Sequence, residues 1–176
     1  MKKTKRIVLS AVAVVLVLLV LGGVKTVLDL KNSSGEVQEE TSSIQWAELT
    51  SDPLTLEGIA DASAKFASAK VNGSLNLVFN GIWSRQTEYF TVPSGVLNVT
   101  GYGTAEGVQR YKISVWQKVD GGAQYVNGTT YYFQTDGQNY HCSIGGLDPA
   151  ATYRLTISYD SSRYYLYGGL KVEGVA

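Results

Sequence analysis

Residues 108–137 read VQRYKISVWQKVDGGAQYVNGTTYYFQTDG, and their pattern decides the fold class of this chain of 176 residues. Tyr111, Ile113 and Val115 alternate with polar or charged neighbours, which is the period of a strand with one buried face. Three dipeptides that tolerate the positive φ angles of tight hairpins follow: Asp120-Gly121, Asn127-Gly128 and Asp136-Gly137. The stretch therefore predicts short antiparallel strands joined by tight turns.

The same alternation extends on both sides of this stretch, over residues 71–176. Near the C terminus Tyr153, Leu155 and Ile157 alternate with polar residues, so we expect them in the core. Cys142 shares a strand face with apolar neighbours and is expected to be a small buried apolar residue. The predicted strands lie near residues 74–79, 86–92, 95–101, 108–119, 123–126, 129–135, 138–145, 151–159 and 163–173. We predict an all-β domain, an antiparallel sandwich, over residues 71–176.

A family resemblance is carried by residues 146–157, which read GLDPAATYRLTI. The Leu-x-Pro-x-x-x-Tyr spacing from Leu147 to Tyr153 resembles the corner between strands E and F of fibronectin type III and related immunoglobulin-like sandwiches. In those folds the tyrosine turns inward and its hydroxyl bonds to the backbone of the corner. The resemblance implies an immunoglobulin-like sandwich. A jelly roll is the alternative, because carbohydrate-binding jelly rolls show a similar Gly-Leu-x-Pro corner.

The N terminus has the pattern of a membrane segment. Residues 1–25 carry five Lys or Arg and no acid, and residues 7–24 are an uncharged, largely apolar run. As a helix this run reaches roughly 27 Å, close to the hydrocarbon thickness of about 30 Å. We expect residues 1–24 to be a single-pass transmembrane anchor that contacts the membrane through residues 7–24, with the C-terminal domain outside. A signal peptide, cleaved to release a secreted domain, is the alternative.

Two segments connect the anchor to the sandwich. Residues 25–52 are polar and acidic and predict a flexible linker, since such a chain buries too little apolar surface to fold. Asp52 followed by Pro53 is typical of a helix start, and Leu56, Ile59 and Phe66 recur near helical spacing. We therefore predict a short helix over residues 53–70.

Several functional classes are disfavoured. His141 is the only histidine, and it adjoins Cys142 in a predicted strand, where successive side chains point to opposite faces and cannot form a catalytic pair. Neither a Gly-x-Ser-x-Gly elbow nor a phosphate-binding loop is present. The formal net charge is zero and no basic stripe is evident from the sequence. We predict no enzymatic activity, no cofactor and no nucleic-acid partner.

The turn aspartates raise the question of calcium. In a meander every second turn lies at the same end of the sheet, so Asp120, Asp136 and Asp160 are expected to share one end. Clustered oxygen ligands of this kind are what calcium requires. Aspartate also favours turns for conformational reasons alone, so both interpretations stay open.

The aromatic residues give the functional hypothesis. Trp116 lies on the polar face of its strand, and an immunoglobulin-like arrangement brings Tyr165 and Tyr167 of the last strand close to it. An exposed aromatic strip of this kind holds sugar rings or a protein partner. We therefore predict Trp116, Tyr165 and Tyr167 as ligand-binding residues of a non-catalytic binding or adhesion module at the cell surface, whose ligand is a surface protein or a glycan. The alternatives are a carbohydrate-binding jelly roll and a structural subunit of a surface assembly.

Overall fold

A computed structural model describes residues 44–107 and 109–176, and every element of regular structure in them is a β-strand. The strands are β1 Gln45–Trp46, β2 Glu48–Leu49, β3 Phe66–Val71, β4 Ser74–Ile82, β5 Ser84–Gln86, β6 Phe90–Thr91, β7 Leu97–Thr104, β8 Arg110–Val119, β9 Gly122–Tyr125, β10 Tyr131–Gln134, β11 Tyr140–Ile144, β12 Thr152–Ser158 and β13 Leu166–Glu173. The predicted anchor over residues 1–24 lies outside the described residues. Nowhere in the described ranges is there a helix of the length and hydropathy that a membrane crossing requires.

Two sheets enclose one apolar core. The first has the order β1-β10-β8-β12-β5, with β9 beside β8 and β6 beside β12. The second has the order β2-β11-β7-β13-β4-β3. The pairings are antiparallel except for that of β1 with β10, which is parallel. Phe79 of the second sheet meets Tyr111 of the first edge to face, with 6.0 Å between ring centroids. The predicted all-β sandwich is confirmed.

Side-chain alternation was predicted correctly in the central strands. Tyr111, Ile113 and Val115 of β8 are buried, as are Leu155 and Ile157 of β12. Because successive strand residues point to opposite faces, this alternation assigns one face of each strand to the core. Cys142 is buried as well, as expected for a small apolar side chain.

The corner at residues 147–153 has the local geometry that the resemblance implies, but the strand order differs from the immunoglobulin order. The Tyr153 hydroxyl, on a side chain only 2% exposed, accepts a hydrogen bond from Asp148 N (2.8 Å) and donates one to Asp148 O (3.2 Å). In immunoglobulin folds the last two strands are neighbours in one sheet. Here β13 lies between β4 and β7 in the second sheet, whereas β12 belongs to the first.

The turn predicted at Asn127-Gly128 does not reverse the chain. Strands β9 and β10 both run antiparallel to β8 and pair with successive parts of it, so residues 126–130 are an excursion within one return strand. The Thr129 hydroxyl fills the gap in the ladder: it accepts from Val115 N (3.1 Å) and donates to Val126 O (2.7 Å). A side chain thus replaces the backbone partner that β8 lacks at this point.

The predicted helix over residues 53–70 is wrong. Phe66–Val71 is the edge strand β3, which turns into β4 through Asn72 (φ 49°) and Gly73 (φ 75°). Residues 50–65 have no helix and lie against the second sheet, where Leu56 packs on Gly169. Gly58 has a φ of 70°, which a right-handed helix does not permit. Of the apolar residues that suggested a helix, Leu56 reaches the sheet from irregular backbone, and Phe66 belongs to strand β3.

The end of the predicted flexible linker is also part of the sandwich. Gln45–Trp46 joins the first sheet and Glu48–Leu49 joins the second, with the buried Ala47 between them. Ala47 N donates to Tyr132 O at 2.8 Å. The small side chain of Ala47 lets this segment pass between the two sheets at their open edge, where β10 and β11 lie.

Candidate ligand-binding site: an aromatic platform beside a cleft

Three exposed aromatic residues, Trp83, Tyr165 and Tyr167, form what we call the aromatic platform. The rings of Trp83 and Tyr165 are stacked, with centroids 4.8 Å apart and planes 12° from parallel. Their exposed fractions are 44% and 41%, so the pair remains open to solvent. Trp83 Nε1 donates to Tyr164 O at 2.8 Å, and Trp83 O accepts from Tyr159 N at 2.6 Å. These two bonds fix the tryptophan before any ligand arrives.

A cleft of about 540 Å³ adjoins the platform. Strands β7, β10 and β12 end at the same end of the sandwich, where β13 begins, so the connections that follow them meet there. The residues that line the cleft are Thr104, Ala105, Glu106, Thr135, Asp136, Arg163, Tyr164, Tyr165 and Tyr167. This volume lies within the range of about 300–1,000 Å³ typical of small-ligand sites.

Asp136 is the best-anchored charge in the cleft. Its carboxylate accepts hydrogen bonds from Tyr140 Oη (2.8 Å), Gln138 N (3.0 Å) and Gln138 Nε2 (3.2 Å). Burial raises the pKa of Asp136, but these hydrogen bonds outweigh it and leave the pKa below its ordinary value. The carboxylate is therefore ionised at neutral pH and fixed in orientation.

Glu106 and Arg163 supply the other charges of the cleft. Arg163 lies over the ring of Tyr164, with 5.3 Å from its Cζ to the ring centroid. The cleft thus offers carboxylate acceptors, guanidinium donors and the hydroxyl of the exposed Thr104. Polar groups of both kinds beside aromatic rings suit a ligand with several hydroxyl groups.

A second groove, of about 300 Å³, shares Tyr165 and Tyr167 with the cleft. Asn80 lines it, and its amide donates to the carbonyls of Ala62 (2.9 Å) and Ala64 (2.8 Å). The two tyrosines therefore border two depressions, so a ligand longer than one ring has room on both.

Two of the three predicted site residues come together and the third does not. Tyr165 and Tyr167 lie in the platform. Trp116 is on the outer face of the first sheet, where its ring lies 5.7 Å from that of Tyr125 and its Nε1 donates to Ser114 Oγ at 3.0 Å. The expected proximity fails because the last strand belongs to the second sheet.

Trp83 was missed by the sequence prediction. The predicted strand ended near residue 79, before the pair Asn80-Gly81, whereas β4 continues to Ile82. The pairing of β13 shifts register between Leu166 and Tyr167 at this point, with Gly81 at a φ of 79°. The sequence signal that could have indicated Trp83 is its position, because this large aromatic residue comes directly after a strand end that contains an Asn-Gly pair.

The turn aspartates do not share one end of the sandwich. Asp120 follows β8, whereas Asp136 and Asp160 follow β10 and β12, which are both antiparallel to β8. The prediction was wrong because it counted Asn127-Gly128 as a reversal. Asp160 is engaged by Lys112 Nζ at 3.0 Å. Within the described ranges, no three His, Cys, Asp or Glu side chains come together as a metal-binding group.

The two residues considered for catalysis are held separately. His141 Nδ1 is 3.2 Å from Thr100 Oγ1, on the outer face of the second sheet. Cys142 faces the core, and burial raises the pKa of its thiol to about 12. A thiol with so high a pKa has little thiolate for nucleophilic chemistry at neutral pH.

Comparison with known proteins finds no family model that matches the chain and no curated protein that matches it. The chemistry of the platform and the cleft is therefore the basis for inferring what the protein does.

Proposed function

We propose that this protein is a non-catalytic binding module that holds a glycan on the aromatic platform, presented at the cell surface by an anchor over residues 7–24. The observation that carries the proposal is the stack of Trp83 on Tyr165, parallel within 12° and open to solvent beside a polar cleft. Sugar rings have apolar C–H faces that pack on aromatic rings and hydroxyl groups that need hydrogen-bonding partners. The platform and the cleft supply these two kinds of contact side by side.

The strand order supports the jelly-roll alternative over the immunoglobulin-like one. The row β4-β13-β7-β11 faces the row β5-β12-β8-β10, and most connections between these strands pass from one sheet to the other. Jelly rolls are double-sheet sandwiches of eight strands and include lectin domains. Because a fold does not determine a function, this likeness only adds to the argument from the site.

The cleft favours a glycan over a flat protein partner. A concave site of about 540 Å³ encloses one or two rings, whereas protein interfaces spread over about 800 Å² on each partner. The fixed carboxylate of Asp136 and the guanidinium of Arg163 accept from and donate to sugar hydroxyls. A neutral glycan meets both charges without repulsion.

The test is a glycan array probed with the full chain in mild detergent, followed by calorimetric titration of the neutral glycans that bind. Trp83→Ala and Tyr165→Ala should each weaken binding about tenfold, the order expected for loss of an aromatic contact of about 1.5 kcal/mol. Trp116→Ala, which removes a ring from the other sheet, is the matched control and should leave the affinity unchanged.

Two results would contradict glycan binding by the platform. If no neutral glycan binds the wild-type chain, or if Trp116→Ala weakens binding as much as Trp83→Ala does, the platform is not the site. Circular dichroism of each variant, matching that of the wild type, shows that the domain has kept its fold.

A further inference from the structure

The outer face of the first sheet is basic. Along β8 the outward side chains are Arg110, Lys112, Ser114, Trp116 and Lys118, in the alternation opposite to the buried residues. At about 3.4 Å per residue, this row is roughly 27 Å long. Arg154 of β12 lies directly beside Trp116 in the register. We call Arg110, Lys112, Lys118 and Arg154 the basic strip.

Acidic residues are missing from the strands of this sheet. None of its seven strands contains an Asp or a Glu. In the described part of the chain, the ion pairs are Lys112 with Asp160 and Lys171 with Glu173, and the first of these is the one that involves the strip. Three of its four cations therefore have no acidic partner in the described residues.

Aromatic rings hold these three cations in place. Arg110 lies 5.0 Å from the ring centroid of Tyr132 and 5.9 Å from that of Trp46. Lys118 and Arg154 both lie over Tyr89, at 5.4 and 5.5 Å. A cation–π contact orients a cation without cancelling its charge. The charges are thus fixed in position and remain available to an anion.

The strip has a recess at the Arg110 end. Trp46, Gln109, Arg110 and Gln134 line a cleft of about 520 Å³ there. The guanidinium of Arg110 presents a planar set of N–H donors, which matches the paired oxygens of a carboxylate or a sulfate. At Arg154, the buried Nε lacks a hydrogen-bond partner within the described residues.

We propose that the basic strip is a second binding site, for a linear polyanionic polysaccharide that carries carboxylate or sulfate groups. The charge complementarity fits an extended acidic chain, because the cations lie along one strand: Arg110 and Lys112 are about 7 Å apart, and Lys118 is about 20 Å further on. Nucleic acid fits less well. Its bases are held in single-strand sites by stacking on free aromatic faces, and here Trp46, Tyr89 and Tyr132 are already occupied by cations. This proposal does not depend on the aromatic platform.

The experiment uses the full chain in mild detergent with four probes: polygalacturonate, dextran sulfate, neutral dextran and a single-stranded thymidine oligonucleotide. A polyanionic polysaccharide should bind with an affinity that falls as salt is raised, and neutral dextran should not bind this face. Arg110→Gln and Arg154→Gln should each reduce that affinity at least threefold, and the double variant should reduce it more than tenfold. Trp116→Ala should weaken it as well, because Trp116 lies on the same face, directly beside Arg154.

Arg85→Gln is the matched control. Arg85 lies in β5 of the same sheet and pairs with the buried Ile157. Paired residues lie on the same face of a sheet, so Arg85 is on the face opposite to the basic strip. Its loss removes the same charge from the chain and should change the affinity less than twofold. Trp83→Ala should leave polyanion binding unchanged, which separates this site from the platform.

Three results would overturn the proposal. They are no binding of either polyanionic polysaccharide at 50 mM salt, an equal loss of affinity in Arg85→Gln and Arg110→Gln, and tighter binding of the oligonucleotide than of both polysaccharides. The last would make nucleic acid the partner of this face. Matching thermal unfolding of all variants excludes loss of the fold as the cause of reduced binding.

Discussion

Thr129→Val tests how the interrupted strand β9–β10 is held to β8. Thr129 is buried, and its hydroxyl bonds to Val115 N at 3.1 Å and to Val126 O at 2.7 Å. Valine has nearly the same shape as threonine, so the substitution leaves the packing in place and removes only the hydroxyl. The stability change then reports on the two hydrogen bonds.

The expected magnitude follows from what each partner loses. Val115 N–H lies in the core strand, and a buried donor without an acceptor costs about 1–3 kcal/mol. Val126 O is half-buried and loses a bond with a net value of about 0.5–1.5 kcal/mol. Together they predict a loss of roughly 2–4 kcal/mol. At about 4 °C per kcal/mol for a domain of this size, the midpoint of thermal unfolding should fall by roughly 8–16 °C.

The assay is thermal unfolding by circular dichroism, with hydrogen exchange of the Val115 amide as the local readout. Thr130→Val is the control, because Thr130 is half-buried and bonds to the hydroxyl of Tyr125 rather than to a backbone group of β8. Its effect should stay below about 1 kcal/mol. Equal destabilisation by the two substitutions, or an unchanged exchange rate at Val115, would refute the assigned role of Thr129.

Two further predictions concern buried hydroxyl and thiol groups. Tyr153→Phe removes both hydrogen bonds to Asp148 and should lower the free energy of unfolding in urea by about 1–2 kcal/mol. The loss is limited because the backbone of Asp148 is exposed, so that water replaces part of the bonding. An unchanged free energy of unfolding would mean that these bonds contribute nothing to stability. Burial raises the pKa of Cys142 from 9.0 to about 12, so its contribution to stability is fully present below about pH 9 and is lost as the pH rises toward 12. The midpoint of thermal unfolding should fall over that pH range, and the fall should be less steep in Cys142→Ala. A thiol reagent should label Cys142 in the folded chain only slowly at pH 8, and fast labelling would contradict its burial.

The fold class was readable from the sequence because alternation has a direct physical cause. One face of each strand must be apolar when it covers a core, and Tyr111, Ile113 and Val115 show this without ambiguity. Which strand lies beside which is a different problem, because pairing depends on distant parts of the chain. The corner at Tyr153 is a local motif and was recognised, whereas the position of β13 in the second sheet was not.

A single misinterpreted turn accounts for the wrong prediction that the three turn aspartates lie at one end of the sandwich. Asn127-Gly128 has the residues of a hairpin turn, and Gly128 does adopt a φ of 74°. Whether such a turn reverses the chain depends on what the following residues pair with. Here Thr129 returns the chain to β8 without a reversal. Each later turn therefore lies at the end of the sandwich opposite to the one predicted. Asp120 therefore lies at the end of the sandwich opposite to Asp136.

The candidate site was only half predictable for a similar reason. Tyr165 and Tyr167 are close in sequence and alternate, so their joint exposure could be inferred. The stack of Tyr165 on Trp83 joins residues 82 positions apart, and no local pattern specifies it. Trp116 was correctly placed on a polar face, but its neighbours on that face are cations rather than the platform tyrosines.

The segment at residues 44–49 is part of the sandwich and contacts the basic strip. It joins both sheets through β1 and β2, and Trp46 within it contacts Arg110 of the basic strip. A chain that began at Pro53 would lose both strands and one of the two rings that hold Arg110. The smallest unit that retains the strip therefore starts ahead of Gln45, consistent with the compact unit Ser43–Ala176.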